Sequence, residues 1–177
     1  MLPNPLHPAV VHFPVVLAFL LPLFVGGALW AIRRGANPRR AWLIPLAGAA
    51  ALALSAWLAV QTGGAQGESV ERVVSEQAIE SHEEMAEAFM AVSAGLAVVA
   101  LAGLVGGIAG RAARVATGIG SLVVVGLVAR VGHSGGQLVY KYGAASAYTA
   151  QSVTSSGEVA GTAADRRAAQ RRSEDER

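Results

Sequence analysis

The sequence predicts an all-α, polytopic membrane protein: a bundle of four transmembrane helices with a short amphipathic helix between the second and third. Three observations carry that expectation. Hydrophobic residues make up 53% of the 177-residue chain and charged residues 15%, a balance too apolar for an ordinary soluble domain. Four apolar stretches, at about 10–32, 41–60, 85–109 and 115–131, meet or approach the ~20 residues needed to cross a hydrocarbon core. The charges, moreover, gather between those stretches rather than within them.

The first span enters through His7, Pro8, His12 and Pro14. These prolines favour an irregular entry over a straight helix and could fold both imidazoles over the mouth of the bundle. No Lys or Arg precedes the stretch, and it outruns the ~7–15-residue core of a secretory signal, so it reads as a span rather than a cleavable leader. The loop after it carries Arg33, Arg34, Arg39 and Arg40.

The segment after the second span holds Glu68, Glu71, Glu76, Glu80, Glu83 and Glu84 against Arg72. Between these acids Val70, Val73, Val74 and Ala78 recur at helical spacing, the pattern of a short amphipathic helix lying across the bundle mouth. Ser81 and Glu84 then make a Ser-x-x-Glu capping box, which starts the third span with His82 in its first turn. Glycines at 103, 107, 106 and 110 form two Gly-x-x-x-Gly repeats there, and Gly118, Gly120 and Gly126 follow on the fourth span. Small residues of this kind let transmembrane helices approach closely. Arg130 sits near the end of the short fourth span, where its stem can snorkel. Gly135 and Gly136 are expected to end the helix just after His133. The transmembrane domain thus covers 1–143, and 144–177 is expected to be a polar, disordered tail.

Arginines between spans one and two, with Arg111 and Arg114 between three and four, mark the cytoplasmic side, so both termini lie outside. All four histidines then share the extracytoplasmic end. His82 with His133 is the pair chosen as ligands of a haem iron, each placed on a helix end, with His7 and His12 lining the mouth. Met85, one turn beyond His82, is a further candidate ligand and otherwise core. The chain has no cysteine, which excludes cysteine-ligated iron–sulfur clusters and covalently attached c-type haem, so any haem is non-covalent.

Alternatives stand beside a b-type haem. Interfacial histidines need no cofactor, and the chain reads equally as an accessory or structural subunit of a larger membrane complex. Imidazoles with the acidic segment also suit zinc, copper or iron. The remaining motifs give only weak support to an enzyme. Gly63-Gly64-Ala65-Gln66-Gly67 lacks the strand and the Lys of a nucleotide loop, and His82-Glu83-Glu84 lacks the second histidine of a metalloprotease helix. Ser134 beside His133 has no acid placed to complete a triad. The arginines of the tail are balanced by acids, which gives nucleic-acid binding no support. No inverted repeat and no mid-membrane charge point to a transporter.

The stretches LHPAVVHFPVVLAF, QTGGAQGESVE with SHEEMAE, and GHSGGQLVYKYG resemble a bacterial family of small four-helix membrane proteins, a domain of unknown function. The resemblance extends over residues 6 to 143. It implies a haem-binding or redox-associated module of the cytoplasmic membrane, working beside a membrane redox complex. His7, His12, His82 and His133 match the family's histidine positions. Members often carry a further histidine after the Leu-Val-Tyr, where this chain has Tyr142.

Overall fold

The computed structural model describes residues 6–71 and 73–147, without the side chains of residues 66–69. Its helices are α1 (His7–Val10), α2 (His12–Arg33), α3 (Pro38–Val70), α4 (Glu76–Ala102) and α5 (Gly107–Tyr140). α1 and α2 form one span interrupted at Val11. Pro14 has no N–H to give to the Val10 carbonyl, and its ring crowds that oxygen, which accounts for the break. This span and α3, α4 and α5 are each long and apolar enough to cross a membrane. α2 packs on α3, α3 on α4 and α4 on α5, and α5 closes the ring against α2. Short connections make neighbours antiparallel, the up-down-up-down form of a four-helix bundle.

Each helix buries one stripe, and the stripes share one period. They run through Pro14, Ala18, Leu21, Val25 and Ala28 on α2, and Trp42, Pro45, Ala49, Leu52, Ala56 and Ala59 on α3. On α4 the stripe is Phe89, Ser93, Leu96 and Ala100; on α5 it is Gly110, Arg114, Thr117, Ser121, Val124 and Val128. Successive members lie alternately three and four residues apart, the heptad seam that lets helices mesh at shallow crossing angles. About half are Gly, Ala, Ser or Thr, which brings the helices close. The opposite faces are also apolar: Phe13, Leu23, Trp30, Ile44, Val98, Ile108 and Leu122 are each more than half exposed. A helix apolar on all sides is at home only in lipid, where its backbone is satisfied internally and its surface needs no water.

At the arginine-bearing end the turns are closed by specific caps. Gly35 takes φ 95°, donating its N–H to Ile32 O, while Ala36 donates to Ala31 O, both at 3.0 Å. This Schellman closure requires a left-handed residue. Asn37 Oδ1 then accepts from the N–H groups of Arg39 (3.0 Å) and Arg40 (3.2 Å), capping α3 with Pro38 in its first turn. Between α4 and α5, Trp42 donates its indole N–H to Ala100 O (2.8 Å). Its ring fills the space where a Gly103 Cβ would stand. Arg114, expected as a loop charge, is instead buried on the α5 seam, 6% exposed. It donates from Nε to Gly103 O (2.8 Å) and from Nη2 to Val105 O (3.4 Å), and its guanidinium lies 5.9 Å from the centre of a Trp42 ring. Among the described residues no carboxylate pairs with it; the free carbonyls at the α4 C-terminus, the negative end of that helix dipole, take its place. The two Gly-x-x-x-Gly repeats therefore build this turn rather than a helix–helix groove. α4 ends at Ala102, and a Cβ on Gly110 would collide with Val105 O.

At the histidine-bearing end the helices overrun their expected limits. α3 continues through Gly63 and Gly64 to Val70, α4 starts at Glu76 with Ser75 as N-cap, and α5 runs through Gly135 and Gly136 to Tyr140. No separate amphipathic helix forms among the described residues: Val70 ends α3, Val73 and Val74 lie in the turn, and Ala78 opens α4. His82 accordingly sits beyond the first turn of α4, and Ser81 is not its cap. Burial explains the overrun. Val74, Ile79 and Ala144 make a small second core, with Val70, Ala78 and Leu138 against it. Each helical glycine costs about 1 kcal/mol relative to alanine, whereas the shared cluster buries Val74, Ile79 and Ala144 and partly buries Val70, Ala78 and Leu138, at roughly 1.5–3 kcal/mol for each fully buried Val or Ile. The packing wins. Ala144, which also donates its N–H to Leu138 O (3.0 Å), belongs to the bundle rather than to a tail. Residues 148–177 of the expected tail, with Arg72 and the Glu68 side chain, lie outside the described residues.

Candidate functional site

Following each seam toward the histidine-bearing end leads to a single layer. The three-four alternation continues back from Pro14 through Val11 to His7, and on from Ala59 to Gly63. It runs back from Phe89 through Ala86 to His82, and on from Val128 through Val131 to Gly135. The four spans thus contribute His, Gly, His and Gly in turn. A Cβ on Gly63 would stand 3.1 Å from His7 Cε1, and one on Gly135 would stand 3.1 Å from His82 Cε1. Each imidazole occupies room that a side chain on the following helix would take. Both rings line one cavity of about 330 Å³, within the size range of small-molecule sites. Pro8, Val60, Val70, Ile79 and Leu138 give it apolar walls, and Glu83 and Glu87 stand at its lining.

The hydrogen bonds orient both rings alike. His7 Nδ1 lies 2.9 Å from Ala59 O and 3.3 Å from Thr62 Oγ1. A carbonyl can only accept, so Nδ1 carries the proton, and in the neutral ring Nε2 carries the lone pair. His82 Nδ1 lies 2.8 Å from Ser134 Oγ. Ser134 Oγ also lies 2.9 Å from Val131 O, which can only accept; with the serine proton on that carbonyl, His82 Nδ1–H is the donor and the lone pair falls on Nε2. Among the described residues no hydrogen bond reaches either Nε2. An imidazole whose Nδ1–H is fixed by an oxygen is the usual form of a metal ligand.

The two hairpins repeat this device. In the first, a helix bearing His7 precedes Thr62-Gly63-Gly64; in the second, a helix bearing His82 precedes Ser134-Gly135-Gly136. Both hydroxyl residues bond back to the preceding turn, Thr62 Oγ1 to Leu58 O (2.9 Å) and Ala59 O (3.0 Å), and Ser134 Oγ to Val131 O (2.9 Å).

Of the four histidines, the bundle brings His7 and His82 to the cavity. His12 and His133 are exposed. His133 Nε2 lies 3.0 Å from Gln137 Nε2 one turn on, and the cavity lining includes neither His133, Met85 nor Tyr142. Pairing His82 with His133 requires the helix to end near Gly135. Because α5 stays helical, its 100° step per residue turns His133 off the seam and presents Ser134 and Gly135 instead. The residues that orient the rings, Thr62, Ser134 and the Ala59 carbonyl, had no place in that pairing. Among the described residues no three of His, Asp and Glu gather closely enough to hold a metal ion by themselves.

The fold and this layer define a class: a small polytopic membrane protein whose bundle mouth presents two imidazoles at a largely apolar cavity edged by Glu83 and Glu87. The chain belongs to the family of predicted membrane proteins designated DUF2231, whose family model matches residues 3–147. The match runs past Gly143 and takes in the buried Ala144. No curated protein matches the chain, and no solved structure does.

Proposed function

We propose that the chain would hold one b-type haem at the mouth of its bundle through the Nε2 atoms of His7 and His82, and serve electron transfer there. The observation behind this reading is that two rings, each engaged at Nδ1 by an oxygen and with no hydrogen bond at Nε2 among the described residues, line the same cavity. The donor set fits the group. A haem would ask at most two ligands of the protein, the number of oriented imidazoles at this cavity. A protein-only zinc or copper site asks three or four, which favours haem over the bare-metal reading. The apolar walls suit a porphyrin, and the glycines leave the rings unobstructed. When bound, haem supplies one-electron chemistry through its iron. The chain's own part is to hold both imidazoles neutral-side inward and to keep the ring system in an apolar setting.

The test is the optical spectrum of detergent-purified protein from haem-replete cells, before and after dithionite. Sharp visible bands of a six-coordinate low-spin b haem are expected. Stoichiometric zinc or copper without a Soret band would support the metal reading, and a colourless, metal-free protein the accessory-subunit reading.

In this proposal the mouth faces the extracytoplasmic side of a bacterial cytoplasmic membrane, where a membrane redox complex is the electron partner. Arg33, Arg34, Arg39, Arg40 and Arg111 mark the opposite end, and positive ends stay cytoplasmic. Reporter fusions at Arg39 and after Ala147 should report opposite compartments, the second outside. Both on one side would remove the shared mouth.

A further inference from the structure

We propose that Ser134 is a positioning residue for His82, holding its neutral ring in the Nδ1–H tautomer and so presenting Nε2 to the cavity. This rests on the reading of His82 as a ligand. The two half-sites share a plan but differ in redundancy. His7 reaches the Ala59 carbonyl directly at 2.9 Å, with the Thr62 hydroxyl a second, longer partner at 3.3 Å. The equivalent carbonyl in the second hairpin is Val131 O, and His82 does not bond it. The Ser134 hydroxyl stands between them, 2.8 Å from His82 Nδ1 and 2.9 Å from Val131 O, placed to accept from the ring while donating to the carbonyl. Removing the Thr62 hydroxyl leaves His7 its carbonyl. Removing the Ser134 hydroxyl leaves His82 Nδ1–H with no partner in a half-buried setting, and nothing then favours the tautomer that ligates through Nε2.

The experiment compares Ser134→Thr with its near-isostere Ser134→Val, which lacks the hydroxyl, alongside Ser134→Ala and Thr62→Ala. Histidine-selective ¹⁵N NMR of the haem-free protein at about pH 8, above the ordinary imidazole range near 6.5, reads the tautomer. His82 is expected as Nδ1–H in the wild type and Ser134→Thr, and as a mixture in Ser134→Val and Ser134→Ala; Thr62→Ala should leave His7 unchanged. Haem titration should show roughly 10–100-fold weaker binding for the two variants without the hydroxyl, with wild-type affinity restored in Ser134→Thr and kept in Thr62→Ala. An Nδ1–H ring in Ser134→Val, or equal losses in Thr62→Ala and Ser134→Ala, would overturn the assignment. A wild-type protein that takes up no haem would instead refute the haem reading, and the tautomer measurement would still decide the role of Ser134.

Discussion

Replacing His82 with alanine is expected to abolish the six-coordinate low-spin spectrum, and His7→Ala to do the same, while His12→Ala and His133→Ala leave it in place. Loss of one axial nitrogen leaves iron five-coordinate and high-spin, or leaves the haem unbound. The two neutral substitutions follow from position. His12 and His133 are exposed, and His133 is engaged with Gln137 on the outer face of α5. Fold loss is not the expected cause of the effect at His82. Alanine is the best helix former, and the main core, from Ala18 to Val128, lies deeper in the bundle than this layer. Far-ultraviolet circular dichroism on the same samples checks that point. A His133→Ala protein that lost its haem as fully as His82→Ala would move the ligand to the outer face of α5.

Arg114→Ala is expected to cost about 2–4 kcal/mol of stability, since hydrogen bonds from a charged donor contribute roughly 1.5–3 kcal/mol each. The guanidinium is buried, bonds Gly103 O and Val105 O, and lies against Trp42. Without it those carbonyls, at the end of α4, lose their donor. Arg114→Lys should recover little, because an ammonium cannot reproduce a planar donor that both forks to two carbonyls and stacks on an indole. Unfolding in detergent measures the loss, and a change below about 0.5 kcal/mol would mean the residue behaves as an ordinary surface position. The site lies about 30 Å away along α5, so the fraction that stays folded should keep the wild-type haem spectrum.

The membrane architecture was legible because a span is a property of composition over ~20 residues, and every span here has it. Helix ends were less legible, because local propensity and tertiary burial disagree there. Gly63-Gly64 and Gly135-Gly136 read as punctuation, yet Val70 and Leu138 beyond them are drawn into the small core around Val74, Ile79 and Ala144. The same conflict decided the site. Clustering of the histidines at one end could be read from span order alone, whereas the choice of partner for His82 depended on whether α5 stays helical through Gly135. The information was present in two places: the three-four seam, which continued outward passes through His7 and His82 but not His133, and the twin Thr-Gly-Gly and Ser-Gly-Gly triplets. The shape of the Trp42–Gly103–Arg114 cluster was not legible, because it joins three helices through backbone carbonyls that carry no sequence signature.

The most direct test of the central claim is the axial ligation of the ferric protein, read by near-infrared magnetic circular dichroism together with the haem-to-chain ratio. One haem per chain with the charge-transfer band of bis-imidazole iron is the predicted result. A histidine–methionine or high-spin five-coordinate signature, or a haem-free protein from haem-replete cells, would contradict it.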